Sequence, residues 1–338
     1  MKALVCTEPL RLEFEQRPDP SAEPGQAILR IRRIGVCGTD LHAYDGTQPY
    51  FSYPRILGHE LSADIVDIEP GRGFEPGETV TFLPYLNCGQ CVACRRGKSN
   101  CCVQMQVIGV HVDGGMAEYI RVPVDKLVKS RGLGHDALAM VEPLAIGAHA
   151  ARIAAIVPGE RVLVVGAGPI GMAIMEAAQL QDGEVIALDT QASRLEICRR
   201  DGRASYVVNS SNGNVMEHLQ EITSGEMPTA VFDATGNLRA IEAGLQYVAH
   251  GGRYVLVGLQ KAPFAFSHPE FHKRETCLMS SRNATREDFD NVIDAIASGK
   301  TEPLTMITHR TEFRDAAAKF PFWLDPVSGV LKAMIHND

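Results

Sequence analysis

The stretch Gly35-Val36-Cys37-Gly38-Thr39-Asp40-Leu41-His42 sets a thiol, a hydroxyl, a carboxylate and an imidazole within six consecutive residues, Cys37 to His42. These are the parts of a metal site with a proton path. A thiolate holds a zinc ion, a hydroxyl hands on a proton, and a histidine delivers that proton to water. Taken alone, Cys37 also reads as a small buried hydrophobe, so the rest of the chain must supply the missing ligands.

A second cluster is more specific. Cys88-x2-Cys91-x2-Cys94-x7-Cys102 brings four thiolates into one loop. Four sulfurs close a tetrahedral shell with no open position, which makes a structural zinc site. Cys101 leaves the fourth ligand ambiguous, and the x7 spacing favours Cys102. A zinc ribbon for nucleic acid is the competing reading, but the basic flank is limited to Arg95, Arg96 and Lys98. The chain holds nine cysteines, an odd number, and shows no export signal, which argues against a disulfide framework.

A third motif binds phosphate. Val162 to Val165 reads as a buried strand that runs into Gly166-Ala167-Gly168-Pro169-Ile170-Gly171 and then a helix. Two glycines allow the tight turn and close approach of a pyrophosphate, and the third lets helix and strand meet. Asp189 ends the next strand, 18 residues after Gly171, where its carboxylate can accept both ribose hydroxyls. A 2'-phosphate would meet a like charge there, so NAD is expected over NADP. The alternative is that Asp189 caps a helix. Arg194, one turn on, can reach the adenosine ribose.

The elements that position these motifs fall into two textures. Lys2 to Leu12 and Gln26 to Val36 read as strands, followed by short β segments from His59 to Phe82 and a strand at Ala117 to Val122. After Pro143, strand and helix alternate through Arg161–Val165, 169–180, 184–188, 192–200, 230–233 and 253–257, as in a doubly wound parallel sheet. Past Ser281 the expectation is a helix at 286–298, another near 312–320 and a strand at 330–335. That tail is short for a domain of its own and is expected to complete one of the other two.

The 338 residues suffice for two cores; 45% are hydrophobic and 22% charged, as in a globular chain. A net charge of −8 with scattered Lys and Arg disfavours nucleic acid. No signal peptide is visible, and the most apolar run, 161–180, is interrupted by glycines, Pro169 and Glu176, so no membrane segment is expected.

In order and approximate spacing, GVCGTDLH at Gly35, GHE at Gly58, the cysteine loop, Glu142-Pro143 and GAGPIG at Gly166 resemble the zinc-dependent medium-chain dehydrogenases. Within these, the polyol branch, sorbitol and threonine dehydrogenase-like, is the nearest likeness. The resemblance implies an α/β protein with a GroES-like, mainly β catalytic domain at 1–143, a Rossmann domain at 144–280 and a segment 281–338 returning to the catalytic domain. It implies two zinc ions per chain and NAD. Cys37, His59 and Glu142 would hold the catalytic zinc, with Glu60 as a fourth ligand or a partner of one. Singly, His59 reads as a core histidine and Glu142 as a helix-start residue. Thr39 would take the alcohol proton and pass it, through the nicotinamide ribose, to His42. Val257 and Gly258 are assigned to the cofactor site. Ala63 departs from the family, whose GHE motif continues to a glycine, and is expected to tighten a turn.

Substrate choice rests on two segments, Gln48 to Arg55 and Phe266 to Thr285, which resemble bacterial L-galactonate and L-gulonate 5-dehydrogenases. Such a sugar acid carries a carboxylate, for which Lys273, Arg274 and Arg282 are candidate partners, though a solvated surface is the plainer reading of each. A neutral polyol and threonine are the competing substrates, and a non-catalytic NAD-binding regulator is the competing class. A cytoplasmic location is expected, and the resemblance implies a homodimer or homotetramer, since in the family the strand 253–257 lies near a sheet edge that needs covering.

Overall fold

The strand Gln26–Val36 organises the first of two units. Its residues Ala27, Leu29, Ile31 and Ile34 have no exposed surface, while Arg30, Arg32 and Arg33 stay half-buried. That pattern fits one face against a core and the other near solvent. The computed structural model describes residues 1–49 and 51–338, and divides into residues 1–142 with 285–338, and residues 143–284.

In the first unit a seven-stranded sheet runs in the order Leu127–Lys129, Thr79–Phe82, Glu60–Ile68, Gln26–Val36, Lys332–His336, Ile307–Glu312, with Tyr119–Pro123 also on Gln26–Val36. Glu60–Ile68 and Lys332–His336 flank Gln26–Val36, both antiparallel, so that Gly35 faces Glu60 on one side and Val36 faces Ala333 on the other. Residues 285–338 therefore share the sheet and the core of residues 1–142. Phe313, Phe320 and Trp323 are buried with Leu4, Tyr44 and Leu57 in that core.

The second unit is a six-stranded, all-parallel sheet in the order Tyr206–Asn209, Glu184–Asp189, Arg161–Val165, Ala230–Asp233, Arg253–Leu256, Cys277–Ser280. The strand order reverses beside Arg161–Val165, the position at which doubly wound sheets bind nucleotides at the carboxyl ends of their strands. No helix among the described residues is long and apolar enough to cross a membrane.

Three local expectations are corrected. Lys2 to Leu12 is not one strand but parts of a hairpin, Lys2–Glu8 and Arg11–Gln16, reversing at Leu10 with φ 65°. Pro9 marks the turn, and reading the apolar residues on both sides of it as one run passed over that signal. A helix near 312–320 gives way to a polar edge strand, Ile307–Glu312, followed by the helix Ala316–Leu324. Ala63 lies in no turn: it is fully buried mid-strand, opposite Ile31 and Val80.

A buried ion pair fixes the base of the second sheet. Arg253 donates to both oxygens of Glu160, at 2.7 and 2.6 Å, and to Ala155 O at 3.1 Å; Thr229 donates to Glu160 at 2.5 Å. Burial pushes the Glu160 carboxyl up, but these donors carry it below its ordinary value. A depressed carboxylate contributes stability above its unfolded value near 4.3, and that contribution disappears as pH falls through the folded value. Glu160→Gln is expected to cost about 2 kcal/mol at neutral pH by urea unfolding, with the difference shrinking below about pH 4. A difference independent of pH contradicts this.

Candidate active site

Cys37 stands immediately before the helix Gly38–Tyr44. The helix begins there because Asp40 Oδ2 accepts the Cys37 N–H at 2.9 Å, closing the first turn. The same carboxylate reaches a second loop: Oδ1 accepts the Gly58 N–H at 3.2 Å and lies 3.7 Å from His59 Nδ1. Asp40 is fully buried, and that burial raises its pKa. It thus ties the Cys37 turn to the Gly58-His59-Glu60 turn, a role the sequence reading did not assign.

Glu60 has no exposed surface, yet both its oxygens are met by Lys332 Nζ, at 2.6 and 2.7 Å; Lys332 also donates to Val36 O at 3.2 Å. Burial pushes the Lys332 ammonium down, but Glu60 outweighs it and holds the group above its ordinary value. Gly35 makes room for this carboxylate, since a Cβ there would stand 2.2 Å from Glu60 Oε2. The glycine before Val36-Cys37 is therefore a steric requirement of Glu60 rather than of the turn. Lys332 carried no signal of its own in the sequence.

Ligand atoms of Cys37, His59 and Glu60 all lie within 4.8 Å of one another. Glu142, at the start of the helix Val141–Ala154, is 2% exposed and accepts a hydrogen bond from the buried Tyr85 hydroxyl at Oε1. Two buried atoms in this region, His59 Nδ1 and Glu142 Oε2, have no hydrogen-bond partner within the protein. Burial lowers the His59 pKa, but the negative charges of Asp40 and Cys37, with Glu142 behind them, drive it well above its ordinary value. Glu142 is raised to about 7, by burial first and then by Glu60, with His59 opposing. A buried pocket that draws protons onto its histidine and its carboxylate is short of positive charge. One thiolate, one imidazole and one carboxylate are a donor set suited to an open zinc site; Nδ1 of His59 lies on the Asp40 side, and the unpartnered Oε2 of Glu142 is an atom such an ion would satisfy.

The four-cysteine loop passes the same test more simply. Cys91 and Cys94 sulfurs stand 3.5 Å apart, as do those of Cys88 and Cys102, and all four lie within 4.8 Å of one another without a disulfide. Zinc–sulfur bonds of about 2.3 Å give a tetrahedral edge of about 3.8 Å, close to these separations. Backbone N–H groups point at the sulfurs, from Cys88 and Gln104 to Cys102 at 3.3 Å each. Such donors, from Cys94 first, draw the Cys91 thiol down to about 6. Cys102 is buried and in the cluster, whereas Cys101 is exposed and outside it.

Thr39 is half-buried on the helix Gly38–Tyr44, and His42, three residues on, is exposed. Residues at that spacing share a helix face.

In the second unit, Gly166 turns at φ 100° and the helix Pro169–Gln179 starts with no side chain capping it. Its first N–H groups can therefore receive an anion. A Cβ on Gly171 would lie 1.8 Å from Gly166 O, so the third glycine is obligatory, while Gly168 leaves open space up to Arg194 Nη1. Asp189 Oδ2 accepts the Ala167 N–H at 2.6 Å and Oδ1 the Gln191 N–H at 2.8 Å. It does brace the following helix, and the same bonds hold its carboxylate beside the glycine turn with lone pairs to spare. Val257 and Gly258 both donate backbone N–H groups to Asp233 O at 2.9 Å, and a Cβ on Gly258 would meet Gly236 N at 2.2 Å. Asp233, fully buried and accepting from Thr235 and Gly236, shapes that turn and was not singled out in the sequence.

The substrate segments are less informative. Arg274 braces its own unit, donating to Gln246 O at 3.0 Å and Val248 O at 2.9 Å; Lys273 and Arg282 are exposed. Of the segment Gln48 to Arg55, Tyr50 lies outside the described residues.

Residues 23–132 match the alcohol dehydrogenase GroES-like domain and residues 169–298 the zinc-binding dehydrogenase domain. The chain is 42% identical to L-galactonate-5-dehydrogenase of Escherichia coli K12, over 95% of this chain and 94% of that protein. It is 31% identical to a sorbitol dehydrogenase of Halalkalibacterium halodurans, over 91% of this chain and 92% of that one. A short chain alcohol dehydrogenase of E. coli CFT073, solved with NADH, superposes with TM-score 0.93 at 29% identity, covering 100% of this chain and 99% of that one.

Metal analysis separates the two sulfur sites. The wild type is expected to hold two zinc ions per chain, and Cys37→Ser one, with its far-ultraviolet circular dichroism unchanged. Cys94→Ser is expected to lose the other ion and to melt at lower temperature. Two ions in Cys37→Ser contradict the assignment.

Proposed function

The chain belongs to the zinc-binding alcohol dehydrogenases with a GroES-like domain, and on that premise we propose that it oxidises a secondary hydroxyl of a sugar acid, of the L-galactonate or L-gulonate type, to the keto acid with NAD. The likeness to L-galactonate-5-dehydrogenase along nearly the whole chain carries the substrate class.

In this reading Cys37, His59 and one of the carboxylates Glu60 and Glu142 hold the catalytic ion. Zinc supplies Lewis-acid stabilisation of negative charge on the substrate oxygen, and NAD supplies the hydride acceptor. Lys332 occupies both oxygens of Glu60, whereas Glu142 keeps Oε2 unpartnered, which favours Glu142 as the carboxylate ligand. The Thr39 hydroxyl receives the alcohol proton, and His42, exposed on the same helix, is where that proton leaves for water. Gly166, Gly168, Pro169, Ile170 and Gly171 receive the cofactor phosphates, and Arg194 adds a positive charge beside Gly168. Asp189 accepts from the ribose, and Val257 and Gly258 line the same cofactor site. The outer strand Cys277–Ser280 offers its free edge to a second copy, giving a homodimer or homotetramer.

The sorbitol dehydrogenase likeness makes a neutral polyol the second reading. Hexonates, pentitols, sorbitol and threonine, each with NAD and monitored by NADH absorbance, separate them: a hexonate is expected to have the highest kcat/KM. Reduction of NAD by neutral polyols alone ends the sugar-acid proposal. With the best substrate, NADP is expected to be used at least tenfold less well than NAD, by roughly the penalty of an unpaired like charge. Asp189→Ala is expected to narrow that gap, and equal use of NADP by the wild type contradicts it.

A further inference from the structure

The end of the helix Gly38–Tyr44 carries a hydrogen-bonded chain that lies outside the relay from Thr39 to His42 described above. His42 Nδ1 stands 2.8 Å from Thr47 Oγ1, and Thr47 Oγ1 stands 2.5 Å from Asp45 Oδ1. A carboxylate only accepts, so the Thr47 hydrogen points to Asp45. What Thr47 turns toward the ring is then a lone pair, which only an N–H can meet. His42 therefore carries its hydrogen on Nδ1, and in a neutral imidazole Nε2 is left bare. Free histidine in water favours the opposite tautomer, so this one is imposed.

The chain is held rigidly. Asp45 Oδ1 also accepts the Thr47 backbone N–H at 2.9 Å. The Thr47 and Gln48 N–H groups both approach His42 O, at 2.8 and 2.9 Å, and the Asp45 N–H bonds Leu41 O at 2.9 Å. Gly46, at φ 81°, permits the reversal. Among the described residues Asp45 is the charged group facing the ring, with Oδ2 3.8 Å from Nδ1, and the His42 side chain is 62% exposed. Asp40, on the same helix, is turned instead to Gly58 and His59.

We propose that Thr47 and Asp45 are positioning residues for proton release: Thr47 fixes the His42 ring as the Nδ1–H tautomer, so that Nε2 is the atom that takes the proton. The inference rests on the dehydrogenase reading above. When Nε2 accepts a proton the ring becomes an imidazolium with hydrogens on both nitrogens. Nδ1–H stays on Thr47, Asp45 balances the new charge, and the same Nε2 proton departs to water, restoring the neutral ring.

The test uses the zinc-loaded protein labelled with 15N at its histidine rings. Two-bond correlation spectra, which report the neutral and the doubly protonated ring separately, are recorded at alkaline pH, and His42 is identified by its loss in His42→Gln. The wild type is expected to show a protonated Nδ1 and a bare Nε2. Thr47→Val, at an exposed position, keeps the shape but cannot accept, and is expected to switch His42 to Nε2–H. In the same variant kcat is expected to fall about tenfold with KM for the alcohol within about twofold, a fraction of what a general base contributes. Thr47→Ser, which keeps the hydroxyl, is expected to restore the tautomer and most of kcat. An Nε2–H ring in the wild type overturns the inference, and so does an unchanged kcat in Thr47→Val. Should no alcohol be oxidised at all, the functional proposal fails, while the ring spectrum still decides the tautomer independently.

Discussion

The first unit depends on how it keeps one charge out of water. Glu60 and Lys332 are among its least exposed residues, and their ion pair joins positions 272 residues apart. Removing a carboxylate from water costs several kcal/mol unless the partner geometry is good and every lone pair is used. Here the ammonium meets both carboxylate oxygens and Val36 O. That geometry requires Gln26–Val36 to lie between Glu60–Ile68 and Lys332–His336, and requires Gly35 to have no side chain. The return of residues 285–338 to the first sheet is thus tied to the chemistry as well as to the core.

Lys332 neutralises only part of the negative charge it meets. Asp40, Glu142 and Cys37 remain around His59, and the raised values of His59 and Glu142 record the imbalance. Asp40 is committed to two backbone N–H groups and Tyr85 to one oxygen of Glu142, so what is left pointing inward is a thiol, an imidazole and a carboxylate oxygen. The cysteine loop solves a different problem. Its four sulfurs lie within 4.8 Å of one another and leave no donor of another kind, which suits an ion that only holds a loop in shape. The same chain therefore presents one sulfur-only site and one mixed-donor site, and only the second has a hydroxyl and an exposed histidine on the adjoining helix.

The parts legible in the sequence were those in which residue type and spacing act within one turn. The glycines of Gly166 to Gly171, the cysteine spacing and the start of Glu142-Pro143 each describe a local geometry. The alternating strands and helices after Pro143 likewise announced a parallel sheet. What was not legible depends on partners far apart in the chain. Lys332 is an ordinary lysine in a short strand until that strand pairs with Gln26–Val36, and Tyr85 matters only because it reaches Glu142, 57 residues away. The edge strand Ile307–Glu312 was missed because a half-exposed polar strand lacks the apolar alternation that marks a strand, and Cys277–Ser280 because four residues are too few to show a period. Asp45 and Thr47 were not singled out in the sequence, and the bond of Thr47 to His42 appears only when the helix end is in place.

The central claim is that the buried, anion-rich pocket of Cys37, His59, Glu60 and Glu142 is a cation site distinct from the cysteine loop. Anomalous diffraction from crystals of the protein, collected on both sides of the zinc absorption edge, tests it most directly. The account predicts two peaks per chain, one among Cys88, Cys91, Cys94 and Cys102 and one within bonding distance of Cys37 Sγ, a His59 ring nitrogen and a carboxylate oxygen of Glu142 or Glu60. A single peak, confined to the four cysteines in crystals grown with zinc present, would contradict it.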